Sequence, residues 1–562
     1  SWVAAMPAGG VIVITDDESG VADTVAAAIV RARGRAKIIR HRYPDDAGAG
    51  SVNAVNLADH SDVERFVGNL RAMYGRIAGV IHLLPLRDST VRPLDDRAPV
   101  KARINSEVKG LFHLLKEVRS DLVGRGSTET VSVIAATRMG GRWSLDAEKD
   151  SATVHGCFAP HGAIAGLLKT VAIEWPGTAV RAVDFDLAAT PEQIGHRVFD
   201  ELRSSRGDVQ VGYTGKTRLA VRHATASVGS SNGQRGRGLS DGAVILASGG
   251  ACGITAEIVI DVLRETRNAK VILLGRTPLP QPHEDPSTAS LESAKDIKSV
   301  LLSRPRNGGR RPSLSDVETE YRQLLREREI RRNITRMSAL ASVQYEQADV
   351  QHEPTMRDIV TRARAEFGRL DCVLHAAGVI QDKLVAEKSS ESFSAVFDTK
   401  VDGALSIAKA VSDAPPSLMI FFSSTAAAFG NRGQADYAAA NATLDALASQ
   451  LHSRWGTRVL SINWGPWFGA GMVTSGLERQ LREAGTKTIG VHDGVAAAHS
   501  EIFFGERHRT NVMYTGGDGL ERMPGEGDAL TVAPPGDSSK VAEQQAVPFD
   551  SSDDNLAQAA AG

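Results

Sequence analysis

Gly242-Ala-Val-Ile-Leu-Ala-Ser248-Gly249-Gly250-Ala-Cys252-Gly253-Ile254-Thr255 reads as a buried strand, a tight glycine turn and the opening of a helix whose apolar spacing runs on to Leu263. A glycine turn gains meaning when it follows a strand and starts a helix, as it does here, because a pyrophosphate can then dock on the helix N-terminus. A second strand, Val271-Ile-Leu-Leu-Gly275-Arg276, comes next, and Gly368-Arg-Leu-Asp-Cys-Val-Leu-His375-Ala-Ala-Gly378 gives another that ends in small residues. Strands alternating with helical patterns predict a parallel sheet, hence an α/β fold.

The first half runs in the same order. Gly10-Val-Ile-Val-Ile-Thr15-Asp16-Asp17-Glu18-Ser19-Gly20-Val21 matches the strand and turn, and Gly75-Arg-Ile-Ala-Gly-Val-Ile-His82 matches the strand before Gly378. Asn105-Ser-Glu107-Val-Lys-Gly110 matches Asp398-Thr-Lys400-Val-Asp-Gly403, Ser132 to Thr137 matches Ile420 to Thr425, and Glu174-Trp175 matches Arg454-Trp455. We therefore expect two doubly wound parallel-sheet units, residues 1–226 and 240–522, joined by a flexible Gly/Ser-rich linker over 227–239. The copies differ at the positions that carry chemistry. Glu107 stands for Lys400, Ala136 for Ser424, Cys157 for Tyr437 and His161 for Asn441. Asp16, Asp17 and Glu18 fall where the second copy has its glycine turn, and like charges cost about 1 to 4 kcal/mol per close pair. The first copy is expected to bind no dinucleotide and to serve as structure.

Composition is that of an ordinary globular protein: 42% hydrophobic, 23% charged, formal net charge -2. Nothing in it points to nucleic acid or a membrane surface, and no apolar run approaches the about 18 residues of a span. The three cysteines (Cys157, Cys252, Cys372) have no metal-type spacing, so no metal is expected and a reducing, cytoplasmic setting fits. The opening Ser1-Trp-Val-Ala-Ala-Met-Pro lacks a signal pattern and reads as the cut edge of a longer protein. Residues 523–562, rich in Pro, Ser, Ala and acids, read as a disordered interdomain linker. A helical insertion is expected over about 280–340, its long helix opening with a capping box at Ser313-Leu-Ser315-Asp-Val-Glu318.

Tyr437 is the candidate acid. A phenol titrates near 10 and is a sluggish acid at neutrality, so a nearby ammonium from Lys400 is expected to lower it. Asn441 lies one helical turn after Tyr437 on nearly the same face, and its amide is placed to orient Lys400. Ser424 closes an apolar strand, where functional groups of parallel sheets collect. Arg276 ends the second strand, where a guanidinium favours the 2′-phosphate of NADPH over NADH; a solvated surface arginine is its other reading. Asp349 is a candidate for the adenine edge; capping the next helix is its other reading.

Together Ser248 to Gly253, His375-Ala-Ala-Gly378, Lys400, Ser423-Ser424, Gly433-Gln434-Ala-Asp-Tyr437-Ala-Ala-Ala-Asn441 and Asn463-Trp464-Gly465-Pro466-Trp467 resemble a short-chain dehydrogenase. More narrowly they are similar to the ketoreductase domain of a type I polyketide synthase, with the insertion closest to polyunsaturated-fatty-acid-type synthases. The resemblance spans about residues 10 to 522. It implies two Rossmann-like subdomains, the first truncated and without cofactor. It also implies NADPH contacts from Ser248, Gly249, Gly250, Cys252, Gly253, Ile254, Arg276, Asp349, Val350, Ala376, Ala377, Gly378, Tyr437, Lys400 and Pro466. Catalysis would fall to Lys400, Ser424, Tyr437 and Asn441. Stereocontrol and substrate contact would fall to Asp382, Phe429, Trp467 and Met472, the last in a lid. Cys252 stands where the family often has an arginine, and Ile380-Gln381-Asp382 replaces the usual Leu-Asp-Asp.

The implied reaction is reduction of a β-ketoacyl thioester, held on the phosphopantetheine arm of an acyl carrier protein among neighbouring synthase domains, to the D (3R) alcohol. The basic stretch from Arg304 to Arg311 has two readings, a docking patch for an acidic carrier domain or a solvated loop. A free-standing dehydrogenase and a non-catalytic scaffold are the alternatives for the whole chain.

Overall fold

Each run of strand and amphipathic helix builds one unit of a parallel sheet, and the chain makes two such sheets. The computed structural model describes residues 9–43, 53–123, 132–145, 156–204, 207–226, 238–304, 312–469, 487–516 and 543–549. In the first half the strands are β1 (Val11–Thr15), β2 (Ala36–His41), β3 (Ala54–Val55), β4 (Ile77–His82), β5 (Ser132–Thr137), β6 (Ala179–Phe185), β7 (Gln210–Thr214), β8 (Thr217–Ala220) and β9 (Arg222–Thr225). The second half adds β10 (Val244–Ser248), β11 (Lys270–Gly275), β12 (Ser342–Gln347), β13 (Cys372–His375), β14 (Leu418–Ser424), β15 (Arg458–Trp464), β16 (Trp467–Phe468), β17 (Ile489–Gly490), β18 (Asn511–Gly516) and β19 (Glu543–Phe549). The eight-stranded sheet has the order β3-β2-β1-β4-β5-β6-β7-β8, and the nine-stranded sheet the order β12-β11-β10-β13-β14-β15-β18-β19-β9. The two orders correspond strand for strand through β7 and β18, so the expected duplication is a property of the fold. β1 and β10 are buried along their whole length, as strands covered by helices on both faces must be.

The halves meet through equivalent helices. Helix Gly162–Glu174 packs antiparallel on helix Ala435–Trp455, with Gly162 against Ala442 and Gly166 against Ala438. A Cβ on Gly166 would lie 2.2 Å from the Ala438 carbonyl oxygen, and one on Gly162 would lie 2.6 Å from that of Ala442. Only glycine permits that approach. Beside this pair the first half presents Arg97, Lys101 and Lys109, and the second half presents Asp398 and Asp402; Lys101 reaches them at 2.7 and 2.5 Å. Phe112 stacks on Phe393 with centroids 4.4 Å apart.

Two boundaries differ from expectation. Glu543–Phe549, expected inside an unstructured tail, forms β19 parallel to β18 and β9. A short strand is hidden when composition is averaged over a long acidic segment, and the open edge of β18 supplies its backbone partners. β9, assigned by sequence to the first unit, consequently closes the second sheet. The linker at 227–237 and the remainder of 523–562 lie outside the described residues. The insertion is helical as expected, at Pro286–Ala289, Ala294–Ser303 and Leu314–Ser338, the last capped by the reciprocal Ser313–Asp316 box.

The glycine contact sets a paired test. Gly166→Ala is expected to cost about 1 to 3 kcal/mol, the usual scale of overpacking. Gly68→Ala, on an exposed helix position where a Cβ meets nothing within 4 Å, is expected to stabilise by about 0.4 to 1 kcal/mol. Denaturant midpoints read both. Equal, small effects would show that the helix contact has slack.

Candidate functional site

The carboxyl ends of β12, β11, β10, β13 and β14 lie side by side, and the strand order reverses between β11 and β13 around β10. Ligands of open α/β sheets bind at such a switch point. The sequence-predicted cofactor residues converge there. Ser248 is fully buried at the end of β10; its hydroxyl bonds His375 Nδ1 at 2.8 Å and accepts from the Ala376 and Ala377 amides at 3.2 and 3.3 Å. His375 Nε2 in turn bonds the Lys400 carbonyl at 3.0 Å. The first half repeats the relay as Thr15, His82 and the Glu107 carbonyl, at 3.2 and 2.8 Å. Burial drives both imidazoles to about 4, so they are neutral spacers in the middle of each half.

The turn is shaped as a cradle. Gly249 and Gly253 have φ of 71° and 60°, the left-handed region that favours glycine, and a Cβ on Gly378 would meet Lys400 Cε at 3.0 Å. Glycine and alanine, with little or no side chain, lie between turn and lysine, as a bound dinucleotide needs. Arg276 is exposed at the end of β11 with no acid partner among the described residues. Asp349 accepts from the Gln351 amide at 3.0 Å, closing its own turn, while Val350 is core, against Gly403. Cys252 is the N-cap position of helix Gly253–Glu265, and burial pushes its thiol up to about 12. Ile254 follows in the first helical turn, half-buried. These residues fit a dinucleotide.

One feature of the turn escaped the sequence. The face of helix Leu314–Ser338 formed by Glu329, Asn333 and Arg336 docks on the dinucleotide turn and helix. Glu329 Oε1 accepts from Gly253 N at 2.8 Å, Asn333 Nδ2 donates to Ala251 O at 3.1 Å, and Arg336 pairs with Glu257 at 2.6 Å. The insertion is therefore a packed support of the turn over this stretch; most of the basic run proposed for docking, residues 305–311, lies outside the described residues.

The first half's turn is closed differently. Asp17 Oδ1 accepts from Ala22 N at 2.8 Å, and its Oδ2 accepts from Val21 N at 3.2 Å and Ser19 N at 3.1 Å. The chain's own carboxylate takes the helix N-terminus that a phosphate would need, and Asp16 takes Arg40 at 2.9 Å. Glu107 sits at the lysine's place, fully buried and surrounded by Arg87, Arg103 and His161. Burial pushes its carboxyl up, but His161 and the two guanidinium groups outweigh burial and hold it well below the usual carboxylate range.

In the second half the four candidate catalytic residues come together. Lys400 is buried on helix Ser390–Val411, donates to Phe422 O at 2.7 Å and lies 5.3 Å from the Tyr437 ring centroid. Asn441 is fully buried; Nδ2 donates to Tyr437 O at 2.8 Å, and Oδ1 is a buried acceptor without a partner among the described residues. Ser424 caps the short helix Thr425–Phe429 through Ala426 N at 3.2 Å and also bears on the Tyr437 phenol. Burial raises the phenol above its usual value, against the lowering effects of Asn441 and Ser424. This corrects the expectation that Lys400 lowers it: the ammonium sits over the ring rather than at the hydroxyl. Burial instead acts on Lys400 itself, bringing it down to about 7, with Asp445 pulling the other way.

Asp382 lies beside the site, where Gln434 Nε2 donates to its two oxygens at 3.2 and 3.1 Å. Of two other candidates, Trp467 is core and Phe429 is half-buried. Trp467 is 2% exposed, packed on Trp464 and over Gly494, whose missing side chain makes room for the indole. It anchors the segment after Pro466 instead of meeting substrate; Pro466 O accepts from Ile489 N at 2.8 Å. Phe429 packs on Ala428 and Met513, 4.8 Å from the His223 ring of β9. Met472 lies outside the described residues. Among the described residues no cluster could hold a metal, and no helix is long and apolar enough to cross a membrane.

Lys400 gives a pH test. Its folded value of about 7 lies below the 10.5 of a free lysine, so between these pH values the unfolded chain binds more protons and stability rises with pH. The penalty for the buried charge is complete below pH 7. Lys400→Met lacks this term, so its stability relative to wild type is expected to be greatest below pH 7. From there the difference should fall, by up to about 1.4 kcal/mol per pH unit, as pH rises. A gap independent of pH from 6 to about 9.5 would show that Lys400 titrates as a free lysine does.

A family profile described as KR domain matches residues 243–469. A polyunsaturated fatty acid synthase polypeptide of Thraustochytrium sp. is 32% identical over 340 residues, 59% of this chain and 12% of that protein. Polyketide synthase PksN of Bacillus subtilis is 26% identical over 363 residues, 63% of this chain and 6% of its own length. The chain thus spans a small part of these relatives. Among solved structures, an N-terminal ketoreductase from the macrolactin assembly line superposes with a TM-score of 0.60 at 19% identity, covering 91% of this chain and 90% of that one. An A-type ketoreductase of a modular polyketide synthase gives 0.60 at 18%, covering 89% and 90%. The two-subdomain fold is common to them. The match over residues 243–469 identifies a KR domain, in a chain similar in sequence to polyketide and polyunsaturated fatty acid synthases and sharing the fold of solved ketoreductases.

Proposed function

We propose that the chain reduces the β-keto group of an acyl chain carried as a thioester on the phosphopantetheine arm of an acyl carrier protein, using NADPH and giving the D (3R) alcohol. The observation that carries this reading is the convergence of Tyr437, Ser424 and Lys400 beyond β14, beside the glycine turn. When bound, the reduced nicotinamide supplies a hydrogen with its electron pair to the β-carbon. The chain's own residues do the rest. Ser424 and Tyr437 hold the ketone oxygen, and Tyr437 holds the proton that the oxygen takes as the carbonyl is lost. Burial keeps the phenol protonated, so the proton is in place for an alkoxide far more basic than a phenolate. Lys400, over the phenol ring, holds ribose hydroxyls. Asn441, with its buried acceptor, supports the lysine side. Arg276, exposed and without an acid partner among the described residues, is the residue for the 2′-phosphate. Asp382 and Gln434 border the site and set the face on which substrate enters. Carrier protein and neighbouring synthase domains are the partners.

Purified protein, NADPH and a 3-oxoacyl-N-acetylcysteamine thioester test the reading. Tyr437→Phe is expected to lose about a hundred-fold to ten-thousand-fold in turnover with NADPH affinity unchanged. Arg276→Ala is expected to weaken NADPH about ten-fold or more, the scale of one charge-assisted bond, and NADH much less. A Phe variant within a few-fold of wild type would overturn Tyr437 as the acid. Absence of turnover with intact NADPH binding would favour a scaffold.

A further inference from the structure

Helix Gly162–Glu174 belongs to the half without chemistry, yet its last residue reaches into the other half. Glu174 Oε2 accepts from Val385 N at 2.9 Å, and Glu174 Oε1 accepts from Gly433 N at 2.9 Å. One carboxylate therefore joins two loops that are far apart in sequence. The loops are also tied to each other: Lys383 N donates to Gly433 O at 3.0 Å, and Gln434 donates to Asp382. The stretch leading to Gly433 is held further by the same helix, where Asn431 N donates to Thr170 Oγ1 at 3.2 Å and Lys169 Nζ to Ala427 O at 3.0 Å.

Both loops run straight into the site. Val379 and Ile380 pack on the cluster containing Tyr437, and Gln434 is the residue before the helix that carries Tyr437. On the inner side Lys388, fully buried, donates to Gln381 O at 2.6 Å and to Asp436 at 2.7 Å. The position of Asp382 relative to the phenol thus depends on an inner cation, Lys388, and an outer anion, Glu174, contributed by opposite halves.

We propose that Glu174 is a positioning residue for substrate: by clamping the Val385 and Gly433 amides it fixes the loops flanking Tyr437, so that the non-catalytic half sets which face of the ketone is presented. The proposal rests on the ketoreductase reading above. It predicts an effect on substrate geometry without an effect on the cofactor, because Glu174 touches neither the glycine turn nor Lys400.

Glu174→Ala and Glu174→Gln in the full chain test it. Gln retains volume but offers one acceptor where two donors wait, so it keeps half of the clamp at best. With a 3-oxoacyl-N-acetylcysteamine thioester, the Ala variant is expected to show KM raised about ten-fold, the scale of one lost charge-assisted bond. The share of the minor product enantiomer is expected to rise several-fold, with Gln between Ala and wild type. The NADPH dissociation constant should stay within about two-fold. Amide exchange at Val385 and Gly433 is expected to quicken in both variants, a readout that needs no substrate. Unchanged exchange, or an unchanged enantiomer ratio and KM with faster exchange, would overturn the proposal. So would a loss of NADPH affinity that matches the rise in KM, since that is what general loosening gives. Wild type without thioester turnover would overturn the ketoreductase reading instead, and the clamp would then be judged by the exchange rates alone.

Discussion

At Gly166 the backbone of one half lies so close to the Ala438 carbonyl that no side chain fits between them. This approach fixes the depth at which helix Ala435–Trp455 sits, and that helix carries both Tyr437 and Asn441. The same helix of the first half supplies Lys169, Thr170 and Glu174 to the loops beside Tyr437. A helix that carries candidate catalytic residues, and the loops flanking it, must be held in place. In this chain a second copy of the fold does so.

The copies show how one scaffold is used for opposite ends. Each has a hydroxyl at the end of its first strand, a neutral buried histidine, and a carbonyl on the helix carrying the key charge. At the end of that relay one half places Lys400, a cation brought to near neutrality by burial, and the other places Glu107, an anion locked by arginines and a histidine. A buried ion cluster with every partner in place is a rigid core; a lysine with few counter-charges is available for chemistry. Asp17 completes the contrast, since an internal carboxylate occupies the helix N-terminus that the second half leaves to its glycine turn.

The duplication and the elements that bring the candidate catalytic residues together were legible because they rest on local periodicity and on ordered spacing: β10, β11, β13 and the Tyr437–Asn441 helix follow from apolar runs and turn residues. What escaped was tertiary. Nothing in Ala172-Ile173-Glu174-Trp175 marks the glutamate as a clamp, because its partners are backbone amides with no sequence signature. Glu329, Asn333 and Arg336 form one face by helical spacing, yet an acid, an amide and a base on a long charged helix read as solvated. Trp467 was misplaced because its pocket is made by Gly494, a residue defined by what it lacks. The supposed effect of Lys400 on the phenol failed because burial acts on both groups, and sequence does not reveal depth.

The central claim is that the two copies form one working unit, with chemistry in the second and its geometry supplied by the first. The direct measurement is complementation between residues 1–226 and residues 240–562 expressed as separate chains. The account predicts that the second fragment alone aggregates or binds NADPH without productive thioester turnover, since it exposes the apolar and acidic face that meets the first half. Adding the first fragment should restore turnover and the enantiomer ratio together. A soluble second fragment with full turnover and unchanged enantiomer ratio would contradict it.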